Sequence, residues 1–386
     1  MSELSNARPT RGLLHSRLLA TASATALLGY VAFIGLAKAE EADRPTVWIE
    51  LGGKLDRISG DSETYAPPFI ESVVQHGMQP PSNLHFDRRY SLGEVGSVSF
   101  QPKGSTWTFV AKVQYGRSSG VKRNHQEIYI PPVYVSKFQT KVQPKGPNNS
   151  ALNRTSDYNI RSAESHSIVD FQVGKDVGLG LWGRDSSSQL FAGIRIAQFG
   201  TRTKMNLHAD PNPYYGLEYK YFLHRNFIKV YYQSYNASPD IHRAFHGIGP
   251  SLSWTGSAPI ADHDGEAKIS FDWSVSAAVL FGRQKTRIHD HITGHHFEHN
   301  PITAPQYQYV DIRYENSVAI SRSRSVVVPN VGGLAGVSLK FPNAKVSFGY
   351  RADFFFGAID GGVSTRQGFD RGFFGPFATI SVGLGG

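Results

Sequence analysis

The chain has no cysteine, which excludes a disulfide framework, a thiolate nucleophile and a cysteine metal site. Long hydrophobic runs are nearly absent too. After the N-terminus no stretch reaches the ~20 apolar residues that a membrane-crossing helix needs. No later segment repeats apolar residues at the period of an amphipathic helix, so nothing helical is available to cover a sheet. The formal charge of +9 over 386 residues is spread thinly. Basic clusters interleaved with aromatics, which nucleic acid requires, are missing, so nucleic acid is excluded as a partner. Ser251, Ser253, Ser270 and Ser274 and the histidines His166, His246 and His263 lie near strands, but no nucleophile elbow or similar signature marks them. The chain therefore reads as a non-enzyme, with no cofactor.

The one long apolar run stands at the start. Arg8, Arg11 and Arg17 lead into Leu18–Leu36, followed by Ala37-Lys38-Ala39. A positive flank, an apolar centre and a small-x-small ending make a secretory signal peptide over 1–39, cleaved after Ala39. Residues 40–386 are then a single domain. Four bases and one acid belong to the leader, so the charge of +9 falls to +6 after cleavage.

Glycine (39), phenylalanine (24) and tyrosine (18) are plentiful, and they come in alternating runs. From Ala344 to Phe356 every second residue is Ala344, Val346, Phe348, Tyr350, Ala352, Phe354 and Phe356. The residues between are Lys345, Ser347, Gly349, Arg351, Asp353 and Phe355. A period of two is a strand with one face apolar and the other polar. The pattern recurs, and the run over Lys268–Arg283 exceeds the ~9–11 residues that a tilted strand needs to cross a bilayer. Without a second layer to bury them, the apolar faces meet lipid and the polar faces line a lumen. The expected fold is all-β, a transmembrane antiparallel β-barrel.

Twelve strands are expected: near Thr46–Arg57, Tyr90–Gln101, Ser105–Arg117, His166–Leu179, Ser188–Thr201, Tyr214–Phe222, Phe227–Tyr235, Phe245–Gly256, Lys268–Arg283, Ser325–Phe341, Ala344–Phe356 and Arg371–Gly385. Merging or splitting one pair gives ten or fourteen. Short connections at 102–104, 180–187, 223–226, 257–267 and 342–343 are assigned to the periplasmic end. Longer ones at 58–89, 118–165, 202–213, 236–244, 284–324 and 357–370 are assigned to the outside, the arrangement of an even-stranded barrel with both termini inside.

Alternation places Glu50, Lys54, Asp56, Lys112, Asp170, Arg195, Glu218, Lys220, Asp272, Lys345, Arg351 and Asp353 on the lumen face. They admit two readings: a wet, charge-lined pore for ions or small solutes, or paired ions bracing a filled barrel. About eight strands leave room only for side chains and about 16–18 leave an open channel, so twelve falls between. His289, His291, His295, His296 and His299 stand together with Asp290 and Glu298. Imidazoles at these spacings can ligate zinc, copper or nickel. The stronger reading is a hydrophilic surface loop without a metal, because nothing in the pattern fixes ligand geometry.

Four stretches carry a resemblance to a known family, and the opening W-I-E-L-G-G-K-L-D (Trp48–Asp56) is compatible with it: F-H-G-I-G-P-S-L (Phe245–Leu252), V-L-F-G-R-Q (Val279–Gln284), S-F-G-Y-R-A-D-F-F-F-G-A-I-D-G-G (Ser347–Gly362) and F-F-G-P-F-A-T-I-S-V-G-L (Phe373–Leu384). They resemble the legionella-type major outer-membrane protein family of pore-forming barrels. The resemblance covers the last third and the first strand. It implies a bacterial outer-membrane location and pore activity, with outer-membrane lipid and ions or small solutes as partners, and it transfers no catalytic residue. A homo-oligomer is compatible with it. The alternative is a plugged barrel acting as a scaffold or adhesin, whose long surface loops bind a partner.

Overall fold

The computed structural model describes residues 46–60, 90–129, 153–178, 187–210, 214–220, 225–263, 267–299, 309–362 and 366–384. The leader expected over 1–39 lies outside them. The described residues form twelve strands and no helix: β1 (Thr46–Ser59), β2 (Ser91–Gln101), β3 (Trp107–Tyr129), β4 (Asn153–Asp176), β5 (Ser187–Asp210), β6 (Tyr214–Lys220), β7 (Arg225–Ala237), β8 (Asp240–His263), β9 (Ala267–His299), β10 (Tyr309–Lys340), β11 (Ala344–Asp360) and β12 (Gly368–Leu384). All ladders are antiparallel, and they close on themselves. β1 pairs with β12 from Val47↔Leu384 to Ser59↔Gly372, and the ring runs β12-β1-β2-β3-β4-β5-β8-β9-β10-β11. The expected barrel is what forms.

The registers set the twelve strands into ten places around the ring. β7 and β8 continue one register along β9, from Val230↔His299 and Ala237↔Ile292 to Asp240↔His289 and beyond. Pro239 interrupts the strand because it has no N–H to donate. The ladder is carried past it by Ser238 N–H to His291 O (2.9 Å) and Met205 N–H to Pro239 O (3.0 Å). On the other edge of β7, β5 pairs through Leu207–Ala209 and β6 takes over one residue out of step, at Tyr214↔Tyr231. β6–β7 is therefore the tip of the β5–β8 hairpin. This corrects the expected topology: 202–213 and 236–244 are mostly strand, and the connection near 223–226 belongs to the same end as the long loops. The prolines at 211, 213 and 239 punctuate the sequence pattern like loops, whereas at Pro239 the strand is interrupted without a change of register.

The wall is uneven in height. β1, β2, β11 and β12 have 14, 11, 17 and 17 residues; β3, β4 and β5 have 23, 24 and 24, and β9 and β10 have 33 and 32. Crossing takes about 9–11 residues, so β9 and β10 overhang the girdle by roughly twenty residues. Of the segments expected as the loops 118–165 and 284–324, residues 118–129, 153–165, 284–299 and 309–324 are strand.

Side chains sort by alternation as expected. On β9, Val275 and Phe281 are 53% and 58% exposed on the outer face, while Ser270, Ser276 and Leu280 are buried inside. Phe348, Leu252, Val327 and Ile380 continue the apolar girdle on other strands. In water such a belt would be a liability; in a bilayer it is the lipid-facing surface. At the opposite end from the overhang the turns are tight. Ser105 N–H donates to Pro102 O (3.1 Å), and Gly104 adopts φ 65°, which an L side chain resists. Phe341 N–H donates to Ala344 O (2.8 Å) at the β10–β11 turn.

Candidate functional site

The lumen is built from residues two apart on successive strands, and it is filled. Its core is apolar: Ile58, Ile168, Phe199, Phe245, Leu280, Val328, Phe355 and Phe373 are all buried there. Phe199 on β5 meets Phe245 at 4.9 Å and, across the lumen, Phe355 at 5.2 Å and Phe373 at 5.6 Å between ring centroids. Such tilted and edge-on contacts are the favoured geometries for aromatic pairs.

The turn-end side of this layer holds most of the sequence-predicted charges, brought together as pairs. Arg195 makes a bidentate contact with Asp170 (2.6 and 3.0 Å), bonds Asn330 and lies 3.6 Å from Asp353. Arg351 donates to Asp353 at 3.0 Å. Lys112 stands opposite Asp170 in the β3–β4 register. Lys54 is 3.0 Å from Asp56 and 3.1 Å from His166 Nε2. His166 also approaches Asp56 at 3.3 Å and stacks on Phe373 at 4.0 Å. Nearer the turns, Asp272 takes Lys345 at 2.5 Å with Lys340 at 3.9 Å, and Glu50 accepts from Ser381 Oγ at 3.2 Å. Glu218 and Lys220 are not part of this: β6 places them at the tip of the overhang, far from the girdle.

On the far side of the apolar layer lies a second charged tier that the sequence reading did not single out. Arg371 on β12 reaches Glu164 on β4 (3.4 Å), and Arg322 on β10 reaches Asp360 (3.1 Å). Both tiers and the apolar layer lie on lumen parity, which was the available signal. Phe355 on the polar face of its run was the clearest instance of it.

The end of β11 closes the lumen. The β11–β12 register breaks between Phe355 and Ile359, and Gly357 takes φ 62°. Beyond it Ala358, Ile359 and Asp360 turn inward and are buried. Side chains from three wall strands hold this segment by its carbonyls: Arg243 to Gly361 O (2.8 Å), Gln284 to Gly357 O (2.7 Å), Thr286 to Asp360 O (3.3 Å) and Arg322 to Gly362 O (2.5 Å). Asp360 in turn accepts from the N–H of Gly362 (3.3 Å) and Gln367 (3.2 Å). The segment is thus fixed both by these side chains and by the β12 ladder that resumes at Ile359↔Phe369 and Asp360↔Gly368.

The histidine cluster is not on a loop. It lies on β9, which carries all five histidines, and alternation puts His289, His291 and His295 on one face. His295 Nε2 is 2.8 Å from Asp311, and His291 Nδ1 is 3.1 Å from Ser317 Oγ. Among the described residues no three His, Asp or Glu side chains converge as metal ligands. The serines near the lumen serve the wall: Ser251 accepts from Gln172 and Ser253 donates to it, and Ser270 pairs with Ser338.

No protein-family model matches the chain, and no curated protein matches it. Solved outer-membrane proteins align over most of its length but loosely. The transport unit of the autotransporter AIDA-I from Escherichia coli is 6% identical over 94% of this chain and 97% of that one, with a TM-score of 0.20. The CymD monoaromatic hydrocarbon channel is 9% identical over 89% of each chain, TM-score 0.19. The P. putida toluene transporter TodX is 7% identical over 90% and 91%, TM-score 0.18. At these TM-scores the superpositions carry no argument, and the fold rests on the chain's own registers.

Proposed function

We propose that this chain is a bacterial outer-membrane pore for ions or small solutes, shut at rest by the inward-turned end of β11. One observation carries the reading. Charged tiers lie on both sides of the apolar layer around Phe199 and Phe355, and Ala358 and Ile359 of that layer come from the inward-turned end of β11; further apolar clusters, around Ile160 and around Leu207, lie higher in the barrel. Buried ion pairs add little stability over apolar packing, so a barrel that only needed filling gains little from two charged tiers. An apolar constriction between polar vestibules is a known way to gate a water path. The resemblance to the legionella-type pore-forming family agrees with this reading and is proposed along with it.

Purified, heat-modifiable barrel in planar bilayers tests it. Removing Ala358–Gly362 should convert rare, brief openings into long-lived conductance steps. Under a salt gradient, Arg351→Glu in that background should move the reversal potential toward cations. If neither the wild type nor the deletion conducts, the pore reading fails and the scaffold reading stands. That second reading draws on the overhang of β9 and β10, which presents far more surface outside the girdle than a channel requires.

A further inference from the structure

Above the short strands β11, β12, β1 and β2 the wall is open: among the described residues 117–129 of β3 have no ladder on their β2 side, and β10 loses its partner in the same way. β10 pairs with β9 along its whole length, from Lys340↔Lys268 to Tyr309↔His299. Its pairing with β11 ends at Asn330↔Phe355, because beyond Gly357 β11 turns inward and pairs with β12 alone. Among the described residues, Tyr309–Pro329 therefore have no ladder on their β11 side. At the foot of this unpaired edge lies a cavity of about 820 Å³ that opens sideways, bordered by β9, β10, the end of β11 and the start of β12.

The lining of the cavity has two halves. Phe281 and Val327 are each 58% exposed and Phe356 is 46% exposed; they belong to the lipid-facing girdle. Above them stand Arg283, Arg324 and Arg366. None of the three forms an ion pair with a described residue, and the nearby carboxylate of Asp360 is taken by Arg322 (3.1 Å) and two backbone N–H groups. His246 also lines the cavity, and the exposed face of β9 continues the positive strip through Lys285 and Arg287.

We propose that this lateral cleft binds the phosphate headgroup of an anionic membrane lipid, with its phosphate on Arg283, Arg324 and Arg366 and an acyl chain along Phe281, Val327 and Phe356. Guanidinium forks match phosphate oxygens bidentately, and three unpaired ones around one cavity leave a positive charge that an anion must balance. A soluble anion would have no use for the apolar half. That half faces hydrocarbon, from which a lipid chain enters without leaving its solvent. The lipid would also cover the foot of the open edge of β10, where an unpaired strand is otherwise a template for unwanted pairing. The site requires the barrel to sit in a bilayer but not to conduct, so its test is separate from bilayer recording.

The experiment is native mass spectrometry of the full barrel in neutral detergent, titrated with phosphatidylglycerol or phosphatidylcholine of identical chains. The wild type should prefer phosphatidylglycerol by about tenfold or more, the effect of one charge-assisted hydrogen bond. Raised salt should weaken the preference, and Arg283→Gln/Arg324→Gln/Arg366→Gln should abolish it. Equal binding of the two lipids, or a preference that survives the triple substitution, overturns the proposal. So does displacement of phosphatidylglycerol by equimolar inorganic phosphate, which would mark a free-anion site, or a lipid-free dimer paired on the β10 edge. If the triple variant does not fold, Arg366→Gln, outside the ladders of the wall, must reduce the preference at least threefold, about half of the tenfold effect in free-energy terms.

Discussion

Replacing Arg195 with leucine asks whether the lumen is dry. The Arg195 guanidinium is 2% exposed and bridges Asp170 on β4 and Asp353 on β11. After the substitution Asp353 keeps Arg351 at 3.0 Å, but Asp170 loses both of its guanidinium contacts. In a dry interior, breaking one side of a buried pair costs about 3–5 kcal/mol, because the remaining ion is left without compensation. In a water-filled lumen the same pair is worth about 0–1 kcal/mol. The two cases lie far enough apart to be separated by urea titration of the barrel in vesicles, followed by heat-modifiable mobility. At about 1–3 kcal/mol per molar of urea, the dry case moves the midpoint by roughly one molar or more. The double variant Arg195→Leu/Asp170→Leu removes both ions and should recover most of the loss, since apolar replacement of a whole buried pair is often near neutral. A single variant within about 1 kcal/mol of wild type, or a double variant worse than the single, would refute the packed-lumen argument.

On β9, Val275→Arg places a cation on the lipid face and should cost about 2–4 kcal/mol near mid-bilayer, whereas Ser274→Arg, on the lumen side, should be far milder; the same titration compares them. A small epitope inserted between β6 and β7 should be detected on intact cells, while one at Asn343 should be silent until the membrane is opened. Outside the girdle, Arg202 holds Asp240 in a two-point contact (2.7 and 3.1 Å) that lowers the carboxyl's pKa. A carboxyl depressed in the folded state stabilises it fully above its unfolded pKa of about 3.9 and loses that contribution as pH falls through the folded value. Asp240→Asn should therefore weaken the barrel at pH 7 and leave it indistinguishable from wild type near pH 2, as read by thermal melts at the two pH values.

The face assignments were legible because a lipid-facing strand keeps strict alternation. Val275 against Ser276, Phe348 against Ser347 and Leu55 against Lys54 could be sorted without coordinates. The ends of strands were not legible. Above the girdle, lipid no longer selects apolar outer residues, so β9 beyond Arg283 reads Q-K-T-R-I-H-D-H and resembles a loop although its ladder is unbroken. The interruption of the strand at Pro239 and the one-residue offset between the β5–β7 and β6–β7 ladders made one hairpin look like two. For the site, the charges that line the lumen were found and their partners were not. Pairing Arg195 with Asp353 joins β5 to β11 across the ring, and no local pattern carries that distance. The second tier escaped for the same reason, since Glu164 and Arg371 lie on strands separated by most of the chain.

The seam between β1 and β12 sets the order in which such a molecule can be made. Every other ladder of the ring joins strands that follow one another or are separated by one short hairpin. The seam joins Val47 to Leu384, so it cannot begin until the last strand exists. Contacts of such separation form slowly, because the chain between them must be ordered before they contribute. Until then the molecule is an open sheet with two bare edges, and its lumen residues, including Arg195 and Arg371, have no far wall to bind. The arginine pairs that cross the lumen therefore act as a late check. They come together only in a ring closed in the correct register, and a sheet that closes one residue out turns their side chains toward lipid.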